Sequence, residues 1–247
     1  MFSTHSFKKS LGQNFIFDTG FLNSVLDKLE IAPTDTVIEI GTGAGTLTTC
    51  IAARAQNVIT YEVDKTLTPK LPANVQMIYR DILTVDTFPE DFILVANIPY
   101  YITTPIIMKF LKTPTCRRIC ILIQDDVAKR IVAPTGTKEY GALSATVQAQ
   151  ATARIIKKAP RGLFRPVPNV DSAFVVIEKN GAILPPNFDK VIKDIFSKRR
   201  KKMSSIVNFE LLAASTIYPD DRPENVTPDQ FVKLCQTIAR FDGKMKL

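Results

Sequence analysis

The chain has 247 residues, 45% hydrophobic and 23% charged, a globular composition with room for one ordinary domain and a smaller one, which excludes a disordered chain. Its 32 Lys and Arg outnumber 24 Asp and Glu, and the net charge of +8 points to a polyanionic partner, nucleic acid first. A single histidine, His5 in the N-terminal arm, sets aside Ser-His-Asp and Cys-His catalysis and a His-rich zinc site, so no metal is expected.

Residues 1–12 hold Lys8 and Lys9 but no apolar stretch after them, so no signal peptide is expected there. The pattern then predicts an amphipathic helix over 21–29, a buried strand over Thr36–Ile40, a helix over 46–54, and strands over 58–61 and Val75–Tyr79. A strand over 92–96 follows, then a helix over 105–111 with Pro105 in its first turn, a strand over 118–123 and a helix over 125–132. Such alternation builds a parallel sheet covered by helices, and a strand over 167–178 should end it in an antiparallel pair. Residues 92–108 carry no charge, but Asn97, Pro99 and Pro105 interrupt them. They make a buried strand, a turn and a helix start, not a membrane span of about 20 apolar residues. From 188 onward the pattern is helical, with Pro219, Pro223 and Pro228 as punctuation. Pro185-Pro186 marks a linker, so domains are expected over 1–184 and 185–247. Cys116 and Cys120 share a strand face about 13 Å apart, too far to bridge. With Cys50 and Cys235 they are expected reduced and packed, in a cytoplasmic protein.

Two turns carry the chemistry. Glu39-Ile-Gly-Thr-Gly-Ala-Gly45 follows a strand and opens a helix, and its glycines let the backbone turn tightly and approach a ligand. Thr46 stands where the dinucleotide fingerprint needs its third glycine. The spacing G-x-G-x-G, with an acid two residues ahead, favours S-adenosylmethionine over NAD, because a sulfonium nucleoside has no pyrophosphate to seat. Glu62 closes the second strand where a ribose-binding acid belongs, and Asp81 closes the third, where it can accept from an adenine amino group.

Asn97-Ile98-Pro99-Tyr100 follows the fourth strand. An exocyclic adenine amine is a poor nucleophile, since its lone pair is delocalised into the ring. Two acceptors on its N–H groups, the Asn97 side-chain oxygen and a nearby backbone carbonyl, push the nitrogen toward a tetrahedral, nucleophilic form. Pro99 stiffens the turn, and Tyr100 can stack on a flipped-out base. No histidine base is needed, because the proton becomes acidic once the nitrogen is alkylated.

From Lys9 to about Leu234 the chain resembles the KsgA/RsmA family of ribosomal RNA adenine N6-dimethyltransferases. The resemblance rests on Leu11-Gly-Gln-Asn-Phe15, the two turns, Gly136-Thr-Lys-Glu-Tyr-Gly141, Phe164-Arg-Pro-Val-Pro-Asn-Val-Asp-Ser172 and the basic run that ends at Lys202. It implies an α/β fold: a Rossmann-like class I methyltransferase sheet with helices on both faces, plus a small all-helical C-terminal domain. It implies that Gln13, Asn14 and Ile16 close over the cofactor, and that Gly41, Gly43 and Glu62 hold its methionine tail and ribose. Asp81 and Ile82 then meet its adenine. Asn97 and Tyr100 form the base pocket, and Phe164 is the second face of an aromatic clamp. Arg80 stands where the family has glycine, and Ile16 where leucine is usual.

Arg154, Lys157, Lys158, Arg161 and Arg165 form an acid-free basic stretch around Phe164, and Lys198, Arg199, Arg200, Lys201 and Lys202 are consecutive. Both are expected to meet RNA phosphates. The leading expectation is dimethylation at N6 of two adjacent adenosines near the 3′ end of small-subunit ribosomal RNA, by a cytoplasmic monomer acting on a pre-30S particle. An Erm-type enzyme acting on large-subunit RNA is the alternative. Gln124-x-x-Val-Ala-x-Arg130, Val170-Asp-Ser172 and Arg222-Pro-Glu-Asn225 favour the small subunit. A non-enzymatic assembly factor fits the complete Asn97–Tyr100 turn poorly, and a small-molecule methyltransferase leaves the charge unexplained.

Overall fold

The computed structural model describes residues 13–240; His5, Lys8, Lys9 and the Leu11-Gly12 half of the first motif lie outside them. Five parallel strands form the heart of the molecule. They are β2 (Thr36–Ile40), β3 (Asn57–Glu62), β4 (Val75–Tyr79), β5 (Phe92–Asn97) and β6 (Cys116–Gln124). Two strands complete the sheet, β7 (Ala151–Ala159) and β9 (Ser172–Lys179), and the order is β4-β3-β2-β5-β6-β9-β7. β9 runs antiparallel to β6, the expected antiparallel ending. The chain leaves β2 toward β3 and β4, then returns to β5 on the other side. The carboxyl ends of β2 and β5 thus flank the crevice where open α/β sheets bind ligands.

Strand sequences explain their depth. β5 and β6 read as near-continuous Val, Ile, Leu and Cys runs, as strands covered on both faces require, and Ile93, Leu94, Val95, Ile119 and Ile121 are fully buried. Helix α1 (Thr19–Leu26) begins where Asp18 Oδ1 accepts from Phe21 N at 2.8 Å, two residues before the expected start. α2 (Thr46–Ala52), α3 (Thr103–Lys112) and α4 (Asp125–Ile131) follow β2, β5 and β6 as expected.

The elements α5 (Ala142–Gln148) and β7, with the two-residue strands β1 (Phe15–Ile16) and β8 (Phe164–Arg165), lie outside the predicted set. β7 is an edge strand carrying Arg154, Lys157 and Lys158, and such charges hide its strand character while guarding the edge. The last strand starts at Ser172 rather than 167, because Pro166 and Pro168 lack the N–H groups a ladder needs. Between them, β8 pairs with β1, register Phe15 to Arg165 and Ile16 to Phe164.

The chain divides into two units, and not at 184/185. One holds the described residues up to Ala128 plus Arg154–Glu178; the other holds Lys129–Ala153 and everything described from Lys179 on. The reason is α5, which packs with the C-terminal helices. Tyr140, Ala145 and Ala149 share one core with α6 (Phe188–Ser197), α7 (Phe209–Ala214) and α8 (Pro228–Arg240). α6 supplies Phe188, Val191, Ile192 and Ile195, the i, i+3, i+4, i+7 stripe of a core-facing helix. Gly136 N donates to Glu224 O at 2.7 Å, and the Tyr140 hydroxyl to Val226 O at 3.1 Å. The Gly136–Gly141 motif and the Arg222–Asn225 motif are therefore one structural cluster. All four cysteines are buried and free. Among the described residues, no helix is long and apolar enough to cross a membrane, and no side-chain cluster could hold a metal.

Candidate active site

The glycine turn leaves β2 with three left-handed residues, Gly41, Gly43 and Gly45. A Cβ at Gly41 would stand 3.1 Å from Asn97 O, and one at Gly43 only 2.6 Å from the Phe15 ring. Two close approaches, to β5 on one side and to the arm on the other, thus require glycine. Beneath the turn, Glu39 is wholly buried. Its Oε2 accepts from Thr48 Oγ1 at 2.6 Å and Thr60 Oγ1 at 2.7 Å, while Oε1 has no partner among the described residues. Burial pushes its carboxyl up to about 8, so it is mostly protonated at neutral pH.

Glu62, at the end of β3, ties the turn in place. Its Oε2 accepts from Gly43 N at 3.0 Å, and its Oε1 from Val63 N and Asp64 N at 2.9 Å each. A carboxylate offers about four lone-pair positions, so about one remains for a ligand. Asp81, at the end of β4, caps the single turn Ile82–Thr84 by accepting from Leu83 N at 2.9 Å. These groups surround a cavity of about 220 Å³ at the carboxyl edge of the sheet. Gln13, Asn14, Ile16, Gly41, Gly43, Glu62, Asp81, Ile82, Asn97 and Tyr100 all line it. In the arm, Gln13 Nε2 donates to Asp64 Oδ2 at 3.0 Å.

Asn97 ends β5. Its Nδ2 donates to Asn14 O at 3.0 Å, which fixes the amide and leaves Oδ1 as an acceptor. Tyr100 is held through a 2.8 Å hydrogen bond between its hydroxyl and Ser172 Oγ. Burial raises its phenol pKa, which the Ser172 bond opposes, so it is a neutral ring at physiological pH. The neighbouring Asp171 accepts from Arg161 N at 2.9 Å, which joins the basic stretch to the base pocket.

Three expectations need correction. Phe164 does not line the cavity: it is 0% exposed and packs in the core with Ile16, Leu22 and Phe174, so as folded it offers no ring face to a base. Lys157 turns inward, its ammonium donating to Ser24 Oγ at 2.6 Å and lying 5.3 Å from the Phe21 ring centre. Arg199 is a tie within its unit. It donates to Lys138 O at 2.6 Å and approaches Glu224 at 3.5 Å. Arg80, the residue in place of the family glycine, lines the cavity but is drawn aside, donating to Thr84 O at 2.7 Å and Thr84 Oγ1 at 3.2 Å. Arg154, Lys158, Arg161, Arg165, Lys198, Arg200, Lys201 and Lys202 remain at the surface, with Lys202 paired to Asp220 at 2.7 Å, Arg154 near Glu178 at 3.7 Å, and Arg165 donating to Gly162 O and Phe164 O at 3.0 and 2.8 Å.

Phe15, Tyr61, Leu83 and Tyr101 also line the cavity without an expected role there. Phe15 ends the Leu11–Phe15 motif, and the glycine at 43 was its signal: a residue that must be small implies something pressed against it.

The ribosomal RNA adenine dimethylase family matches residues 4–240. The chain is 38% identical to the ribosomal RNA small subunit methyltransferase A of Alkaliphilus oremlandii, over 95% of this chain and 92% of that protein. It is 36% identical to the protein of the same name from a Geobacillus species, over 94% and 92%. Among solved structures, a dimethyladenosine transferase from Plasmodium falciparum superposes with a TM-score of 0.84 at 23% identity, over 94% of this chain and all of that one. The 23S rRNA methyltransferase ErmE superposes with a TM-score of 0.68 at 25% identity, over 91% and 99%.

Proposed function

The chain belongs to the ribosomal RNA adenine dimethylase family, and on that footing we propose which of its residues do the work. The activity is S-adenosylmethionine-dependent N6-dimethylation of adenosine in small-subunit ribosomal RNA, favoured over the Erm alternative by curated relatives named for the small subunit. We infer two adjacent adenosines near the 3′ end as the target, and a monomer acting on a pre-30S particle in the cytoplasm.

The residues present fit the cofactor. The glycine turn is a cradle that a Cβ would fill, and Glu62 and Asp81 offer carboxylate acceptors suited to ribose hydroxyls and an adenine amine. Gln13, Asn14 and Ile16 would close it in, and Ile82 would supply an apolar contact for the ring. S-adenosylmethionine brings, when bound, a methyl group made electrophilic by a positively charged sulfur.

The chain's own part is to position and to exclude water. One observation supports this most: the Asn97 amide is oriented by Asn14 O, so its oxygen is the end left for an incoming amine. That oxygen accepts one N6–H of the target base, and a backbone carbonyl of the same turn accepts the other. Tyr100 stacks on the ring. The proton made acidic by alkylation leaves to solvent, so no general base is required. Lys158, Arg161 and Arg165 hold phosphates on the side of this mouth, Arg154, paired with Glu178 toward the other edge of the sheet, extends that track, and Lys198, Arg200 and Lys201 hold phosphates on the helical unit. The test is to incubate the protein and labelled cofactor with unmethylated small and large ribosomal subunits and map the label. Label on small-subunit adenosine N6 is expected; label confined to the large subunit would overturn the assignment.

A further inference from the structure

Tyr101 is the exposed aromatic at the rim of the cavity, and neither the pocket chemistry nor the packing accounts for it. It lines the cavity yet is 67% exposed, and no hydrogen bond holds its hydroxyl among the described residues. Its neighbour Tyr100 is the opposite case: half-buried and tied to Ser172. Both sit in the single 3-10 turn Tyr100–Ile102, closed by Ile102 N donating to Pro99 O at 3.2 Å. Successive residues of such a turn project about 120° apart, so the two rings cannot share one face of one base.

We propose that Tyr101 is a stacking platform for the nucleotide beside the target adenosine. The proposal rests on the methyltransferase function given above and adds a second base subsite to it. The physical reason lies in what flipping does to RNA. Turning an adenosine into the Asn97–Tyr100 pocket strips its neighbour of a stacking partner and leaves an apolar base face in water. A tyrosine ring that is exposed at the mouth, and not tied by its hydroxyl, covers that face. Base–aromatic stacking is strong and tolerant of base identity. The ring meets whichever base lies on its side of the flipped adenosine, and because stacking tolerates any base it serves at both adenosines. The Arg161 backbone N donates to Asp171, next to the Ser172 that holds Tyr100, so this exposed arginine stands beside the same turn.

Tyr101→Ala, Tyr101→Phe and Tyr101→Trp test this on unmethylated small ribosomal subunits, with affinity for S-adenosylhomocysteine measured by calorimetry. Tyr101→Ala should lower kcat/KM for the subunit about tenfold, chiefly through KM, as loss of one base–aromatic stack predicts. Its affinity for the cofactor product should stay unchanged, and Tyr101→Phe and Tyr101→Trp should restore the rate. An alanine variant within about twofold of the parent overturns the proposal, 1.4 kcal/mol being a factor of ten. So does a parallel loss of cofactor affinity, which assigns the ring to the cofactor, or a phenylalanine variant as poor as alanine, which assigns the role to the hydroxyl. The chain has no tryptophan, so Tyr101→Trp also carries a unique fluorophore. Quenching by an oligoadenylate supports stacking even if the parent protein methylates no subunit, in which case the assigned activity fails separately. Absence of quenching at millimolar oligoadenylate overturns the stacking role.

Discussion

Asn97 does two jobs with one amide. Its nitrogen holds the arm at Asn14 O, and its oxygen is left for the substrate. Asn97→Ala should reduce methyl transfer by about 10²–10³-fold, the usual cost of one preorganised polar contact, while RNA retention in a filter assay persists. Near-normal turnover would remove Asn97 from the base pocket. Glu62→Ala should weaken S-adenosylhomocysteine binding in calorimetry. It also leaves Gly43 N, Val63 N and Asp64 N without their acceptor, so a lower melting temperature is expected with it. Phe164→Ala should cost about 3–5 kcal/mol in urea unfolding, the range for emptying a buried aromatic site. Polar site residues were legible because an acid or amide at a strand's end, after a glycine turn, has few structural reasons to be there. Phe164 was not, because a ring is equally at home in a clamp and in a core, and the pairing of β8 with the arm decides which.

Among the elements, β2 carries the group with the largest consequence for pH. Glu39 is protonated in the folded protein up to about pH 8 but loses its proton near 4.5 when unfolded. Between these values the folded chain binds more protons, so its contribution is complete below pH 4.5, declines as pH rises, and is gone above about 8. Relative to Glu39→Gln, which cannot titrate, stability should therefore fall between pH 5 and 8 by at most about 1.4 kcal/mol per pH unit. Urea unfolding at both ends of the window checks this, and a parallel pH dependence of both proteins would show that Glu39 is ionised when folded. The parallel strands were legible from their apolar runs, whose depth on both faces leaves little room for another pattern. β7 and the start of β9 were not, since Arg154, Lys157 and Lys158 interrupt the first and prolines mask the second.

For the whole molecule, the net charge of +8 divides unevenly in kind rather than in number. Lys157 and Arg199 are structural ties, whereas Lys158 and Arg161 in one unit and Lys198, Arg200 and Lys201 in the other offer their charge at the surface; Arg154 and Arg165 are exposed too but are partly held, by Glu178 and by the carbonyls of Gly162 and Phe164. Replacing Lys198, Arg200 and Lys201 together by serine should flatten the log–log salt dependence of RNA binding by roughly 0.7–0.9 for each phosphate no longer neutralised. Arg199→Ser should instead lower thermal stability and leave that slope unchanged. An unaltered slope in the triple variant would make that run a solvated face. The charge and the single histidine bounded the chemistry from the outset, while the division into units was hidden by α5, which joins helices far along the chain.

The arm that lines the cavity is held by a two-residue strand and the side chains of Gln13 and Asn97. Dimethylating an adenosine takes two methyl groups, so the donor must be exchanged in a cavity that the arm lines. An exchange that lifts the arm would free Asn97 from Asn14 and slacken the grip on the base. The RNA must outlast these intervals on contacts elsewhere. Dwell time, set by the cations and by the ring at the rim, then governs whether one encounter completes the modification or leaves it half made.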